Sequence, residues 1–219
     1  LAATVFRIKI CGITNRDDAQ LVADAGGDAV GLNFFASSPR FIDFEAAGRI
    51  AAALPKNVAK VGLFVNATAA TVCDAFDRLG LDLIQLHGDE PAEYLVQLGG
   101  RPVMRAFRLG EEGLSPVTAY LAKCQALNAM PKLVLLDAKV PGEYGGTGKT
   151  TDWAVAADYA QRPGLPPLVL AGGLTPLNVA EAIRTVRPAA VDTASGVESS
   201  PGRKDPALVK AFIQAARNA

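Results

Sequence analysis

Short runs of apolar residues alternate along this chain with amphipathic stretches of about three turns each, almost without interruption. The apolar runs occupy residues 7–13, 29–35, 59–65, 83–87, 102–107, 132–137, 167–171 and 189–193. Helical spacing of apolar positions follows each, over 15–25, 44–54, 69–79, 90–98, 115–128, 152–160, 176–186 and 206–217. Strand-then-helix units with short connections require a parallel sheet. Eight of them in 219 residues predict a single-domain (β/α)8 TIM barrel spanning 1–219, in preference to an open doubly wound sheet. Local signals fit that register. Asn15, Asp89, Ser115 and Thr175 suit helix N-caps, and Pro91, Pro116 and Pro176 suit first turns. Gly26 and Gly80 stand where helices should stop.

Composition narrows the class. Half of the residues are hydrophobic, enough for a core that needs neither disulfides nor a structural metal. Lys and Arg number 22 and Asp and Glu also 22, so no global field recruits nucleic acid or an anionic membrane. Cys11, Cys73 and Cys124 are too irregularly spaced for a disulfide framework or a zinc site. A reducing compartment is the simpler reading. Neither a signal peptide nor an apolar run near the ~20 residues of a membrane span is found, which gives a cytoplasmic expectation. No nucleic-acid or membrane partner is expected, and the expected assembly is a monomer or homodimer.

Two connections are longer than the rest, 36–43 and 138–151, and both leave C-terminal strand ends, where the catalytic face of such barrels lies. The second carries Gly145, Gly146 and Gly148, which mark a lid loop. Its Gly-Gly-Thr-Gly-Lys-Thr (145–150) is not a nucleotide-binding P-loop, because the first glycine of that pattern would fall on Glu143.

Candidate chemistry follows from strand phase. If Ile8 and Ile10 face the helices, Arg7, Lys9 and Cys11 point into the barrel. An ammonium at Lys9 beside Cys11 would favour the thiolate. Cys11 is then either a thiolate base at the strand mouth or a small buried hydrophobe. Cys73 and Cys124 lie in helical patterns and read as packing residues. Leu133-Val-Leu-Leu-Asp137 ends an apolar run with a carboxylate that either caps the next loop or serves as an acid across the barrel from Cys11.

The glycines of Ala171-Gly172-Gly173-Leu174, together with Ser195 and Gly196 after strand eight, either form turns or bring main-chain N–H groups to a phosphate. Arg40, in Ser38-Pro-Arg-Phe41, is either solvated or a fork for a substrate carboxylate. His87, the one histidine, shares the barrel phase with Gln85 and is a substrate contact or a hydrogen-bonded structural group. Asp192 either orients sugar hydroxyls or pairs with Lys9.

Taken together, several segments resemble the phosphoribosylanthranilate isomerase family. They are Lys9-Ile-Cys-Gly-Ile-Thr14, Ser38-Pro-Arg-Phe41, Val61-Gly-Leu-Phe-Val-Asn66, Gln85-Leu-His-Gly-Asp-Glu90, Gly145-Gly-Thr-Gly148, Asp152-Trp153, Leu170-Ala-Gly-Gly-Leu174, and Ser195-Gly-Val-Glu198 with Pro201-Gly202. They run in family order through nearly every barrel unit. Asn33 and the Thr193-Ala194 pair depart from the family's usual residues.

The resemblance implies an Amadori rearrangement of N-(5-phosphoribosyl)anthranilate in tryptophan biosynthesis, with no metal or organic cofactor. It implies Asp137 as general acid, Cys11 as general base, Arg40 on the anthranilate carboxylate, and the two glycine loops on the phosphate. Competing readings are other phosphosugar isomerases of this fold and a non-catalytic phosphate-ligand barrel. One histidine is too few for a metal-dependent epimerase. Cys11 stands where a histidine-pathway isomerase would carry a carboxylate.

Overall fold

The computed structural model describes residues 6–138 and 153–219. Eight parallel strands close in sequence order: β1 (Ile8–Cys11), β2 (Ala29–Asn33), β3 (Ala59–Phe64), β4 (Leu83–Leu86), β5 (Val103–Leu109), β6 (Leu133–Ala138), β7 (Leu168–Leu170) and β8 (Ala190–Thr193). Parallel pairing of β8 with β1 completes the ring. The helices are α1 (Arg16–Asp24), α2 (Phe44–Ala53), α3 (Ala69–Leu79), α4 (Ala92–Gln97), α5 (Ser115–Ala126), α6 (Trp153–Ala160), α7 (Val179–Val186) and α8 (Pro206–Arg217). A TIM barrel is therefore the architecture. Residues 139–152, and with them the lid glycines Gly145, Gly146 and Gly148, lie outside the described residues.

Strand alternation divides the core into two parts. Ile8, Ile10, Val30, Leu32, Ile84, Leu86, Val134 and Leu136 face outward against the helices. Ala29, Val61, Leu83, Met104, Leu133, Leu135, Val169 and Ala190 fill the barrel interior, with Phe6 among them. Burying each large aliphatic side chain contributes about 1.5–3 kcal/mol, so the outer shell and inner plug hold the strand ends rigid. That rigidity positions the mouth. Lys9 is inward and fully buried, as the strand phase requires, but Arg7 precedes β1 and is exposed. The expectation that Arg7 enters the barrel fails because the strand begins one residue later.

Capping departs from the sequence signals at several helices. Asn15 caps α1 by accepting from Asp18 N, and Gly80 closes α3 in the left-handed region. Asp43, Thr68 and Asp205 cap α2, α3 and α8 with side-chain acceptors. The N-caps of α4, α5 and α7 are Pro91, Leu114 and Asn178, in place of Asp89, Ser115 and Thr175. At α7 the Asn178 side chain explains the delay. It accepts from Thr175 N and donates to Gly173 O, holding 175–178 as a turn before the helix.

After β8 comes a feature that strand–helix patterning did not reveal. A single 3-10 turn (Ser195–Val197) leads into a hairpin of β9 (Glu198–Ser200) and β10 (Arg203–Lys204), turned at Pro201-Gly202. Thr14 Oγ1 donates to Gly202 O at 2.7 Å, so the hairpin folds back onto the loop after β1.

Candidate active site

A cleft of about 710 Å³ opens at the C-terminal strand ends. Cys11, Asn33, Arg40, Gln85, His87, Asp137, Gly172, Gly173, Asp192 and Ser195 all line it. Residues nominated separately from six strands thus converge on one space. Gly196 is the exception: it lies behind the wall, where an added Cβ would stand 1.9 Å from Leu174 O. Its smallness lets the loops after β7 and β8 touch. Thr193 Oγ1 fastens the same loops by donating to Leu174 O at 2.7 Å.

Cys11 ends β1 opposite Gly31 of β2. No side chain could replace that glycine's hydrogen without meeting Cys11 Sγ at 2.6 Å and Lys9 Nζ at 3.1 Å. Gly31 makes the pocket that receives the thiol, and residue patterning gave no hint of this. Beneath the thiol, Lys9 Nζ lies 2.9 Å from Asp192 Oδ1, with the two residues paired in the β1–β8 register. Asp192 therefore does pair with Lys9, and it also lines the cleft.

Lys9 favours the Cys11 thiolate, as expected, but burial outweighs it. Burial pushes the thiol up from its ordinary range; Lys9 and Lys204 oppose this, and the Asp192 carboxylate reinforces it. Desolvation is the larger effect, so the Lys9 charge offsets it only in part. Lys9 itself is held protonated against burial by Asp192 and Cys11.

Asp137 is the penultimate residue of β6 and lines the cleft. His87 Nε2 lies 3.4 Å from Asp137 Oδ2, and His87 Nδ1 is 3.1 Å from Gln85 Nε2. His87 is held between the Gln85 amide on one ring nitrogen and the Asp137 carboxyl facing the other. The histidine is thus both a cleft residue and a hydrogen-bonded one. Its loop is rigid for a reason visible in the Gly-Asp-Glu sequence that follows. Glu90 accepts from Gly88 N and Asn66 N, and its carboxylate meets buried Arg105 at 3.1 Å. Arg105 also donates to Leu86 O and Gly88 O.

Arg40 is half-buried, its stem lying over Gly12. Gly12 has φ +74°, and an added Cβ would meet Arg40 Cδ at 2.4 Å, so only glycine fits. Arg40 Nε and Nη2 donate to Glu198 at 2.8 and 2.6 Å. Lys204 Nζ, buried, reaches Glu198 Oε1 at 2.8 Å, Cys11 O at 2.6 Å and Ala194 O at 3.1 Å. Burial alone would push the Glu198 carboxyl up, but Arg40 and Lys204 together hold it below its usual range. Lys204 was missed because nothing in its local sequence distinguishes it from a surface lysine. The Asn33 amide contributes at the same wall: it donates to Ser38 Oγ, which accepts from Arg40 N. That is why a polar residue ends β2.

Between the glycine loops, Gly172 and Gly173 have φ of +88° and +68°. Without side chains, both glycines let the main chain turn at the cleft wall and approach a ligand closely. Among the described residues, no group of three or more His, Cys, Asp and Glu could hold a metal ion, and no helix is long and apolar enough to cross a membrane.

Fold and cleft together define a TIM barrel of the enzyme type, with ionisable groups and a pair of glycine loops at one mouth. Comparison with known proteins makes the class specific. The model of the N-(5'phosphoribosyl)anthranilate (PRA) isomerase family matches residues 8–215. The N-(5'-phosphoribosyl)anthranilate isomerase of Geobacter sulfurreducens is 47% identical over 214 residues, 97% of this chain and 99% of that protein. The crystal structure of phosphoribosyl anthranilate isomerase from Thermotoga maritima superposes with a TM-score of 0.84 at 43% identity, covering 98% of this chain and 100% of that one. Another solved isomerase, in complex with reduced 1-(o-carboxyphenylamino)-1-deoxyribulose 5-phosphate, has a TM-score of 0.81 at 39% identity over 98% and 100%. The chain belongs to the N-(5'-phosphoribosyl)anthranilate isomerase family, an isomerase family of tryptophan biosynthesis.

Proposed function

We propose that this chain converts N-(5-phosphoribosyl)anthranilate to 1-(2-carboxyphenylamino)-1-deoxyribulose 5-phosphate, with Asp137 as general acid and Cys11 as general base. The observation that carries the assignment is that both side chains line the same cleft, along with residues of the β7 and β8 loops. Asp137 gives a proton to the ribose ring oxygen, and the ring opens to a Schiff base. Cys11 takes the proton from C2′, leaving an enolamine that tautomerises to the ketone. Each proton transfer of this kind contributes about 10²–10⁴-fold.

The reactive form carries its proton on Asp137 and the charge on Cys11. It differs from the thiol–carboxylate form only in where one proton sits. Burial that disfavours the Cys11 thiolate also makes that thiolate a stronger base once formed. Lys9 and Lys204 supply nearby positive charge against which it forms.

Arg40 holds the anthranilate carboxylate. Gly172, Gly173 and Ser195 present main-chain N–H groups to the phosphate, and Gly196 lets those loops close up. His87 braces the acid and Asp192 orients sugar hydroxyls while neutralising Lys9. Gly145, Gly146 and Gly148 serve a lid over the bound substrate.

The test generates phosphoribosylanthranilate in situ and follows loss of its fluorescence. The wild type turns it over, whereas Cys11→Ser and Asp137→Asn fall by about two orders of magnitude or more while still binding a product analogue. Undiminished activity in both variants refutes the roles. Binding of the analogue without turnover by the wild type would instead make the chain a phosphate-ligand barrel.

A further inference from the structure

Behind the cleft wall, three charged groups form a chain that no cleft-lining residue completes by itself. Glu198 does not line the cleft, yet its side chain is 4% exposed and receives two N–H groups from Arg40 and one from Lys204. Lys204 has three donors and three acceptors, so its ammonium is saturated within the protein. Two cations and one anion leave an excess of one positive charge. Arg40 is the member that reaches the cleft, and its Nη1 has no partner among the described residues.

A guanidinium pinned through Nε and Nη2 keeps its plane and direction. Unpinned, an arginine side chain carries rotamer entropy that a ligand would have to overcome. Without the Glu198 charge, Arg40 and buried Lys204 would also repel one another.

We infer that Glu198 is a positioning residue: anchored by Lys204, it fixes the Arg40 guanidinium so that its unpaired edge receives the aryl carboxylate of the substrate. The inference rests on the reading of Arg40 as the carboxylate fork. Lys204 extends the same anchoring to Cys11 O and Ala194 O, tying the fork to the strand that carries the base and to the loop proposed for phosphate.

The experiment measures calorimetric binding of two ligands, reduced 1-(o-carboxyphenylamino)-1-deoxyribulose 5-phosphate and its phenylamino counterpart without the carboxyl group. The variants are Glu198→Gln, Glu198→Asp and Arg40→Ala. Glu198→Gln should weaken the carboxylated ligand roughly 3- to 10-fold, the cost of ordering one long side chain, and leave the other ligand unchanged. In turnover the loss should fall on KM, with kcat little altered. Glu198→Asp keeps the charge but is too short to engage both nitrogens, so it should show the same selective loss; it also decides the matter if the glutamine variant does not fold.

Unchanged or tighter binding of the carboxylated ligand by both Glu198 variants, with Arg40→Ala still selective, overturns the positioning role alone. Equal weakening of both ligands also overturns it, since that is the signature of general loosening. If Arg40→Ala weakens both ligands alike, the fork itself is wrong and the inference falls with it.

Discussion

Lys9 and Asp192 form a buried ion pair, Nζ to Oδ1 at 2.9 Å, across the seam where the last strand meets the first. The pair lies directly beneath the cleft and shares Lys9 with the thiol of Cys11. Closing the barrel and setting the charge below the proposed base are one and the same contact.

Breaking one half of this pair strands the other half in the interior. Lys9→Met is expected to destabilise the fold by about 3–5 kcal/mol in urea denaturation, because Asp192 is left without a counter-charge. Adding Asp192→Asn should recover most of that loss. Two single variants whose costs simply add would show that the pair is not coupled.

The resting thiol should behave as a weak acid. In a Cys73→Ser background, with Cys124 fully buried, alkylation by iodoacetamide reports Cys11. Burial favours the neutral thiol, so the thiolate that reacts accumulates only as pH rises beyond the ordinary thiol value of about 8.5. The rate should climb through a midpoint above that value. A midpoint at or below it would mean that the two lysines outweigh desolvation.

Gly31→Ala tests whether the thiol is placed by the absence of a side chain opposite it. The new methyl meets Cys11 Sγ at 2.6 Å and Cys11 Cα at 2.9 Å, and backbone cannot yield as a flexible side chain can. Overpacking of this kind costs about 1–3 kcal/mol. Since a misplacement of about 1 Å can cost some 10²-fold in rate, kcat should drop far more than the affinity for a product analogue. Wild-type kcat in this variant would show that Gly31 does not govern the position of Cys11.

Much of this molecule is written locally. Strand phase is a period of two, and Ile8 and Ile10 against the helices put Lys9 and Cys11 inside with no knowledge of neighbours. Asn15 capping α1 and Gly80 ending α3 are equally local, since each acts within its own turn. The motif at 85–90 was legible as a site, although its Glu90 proved to be the anchor for Arg105 and for the loop that carries His87.

Asn178 defeated the capping signal at Thr175 by a side chain three residues downstream, a competition that propensity does not rank. What the chain decided alone was its alternation, hence the barrel, and which residues would stand at strand ends. Only the folded molecule decided the charges: that Lys9 answers Asp192 183 positions away, and that Lys204 comes to rest against Cys11 O. Electrostatic energy depends on distance and burial, and neither exists until distant segments have packed.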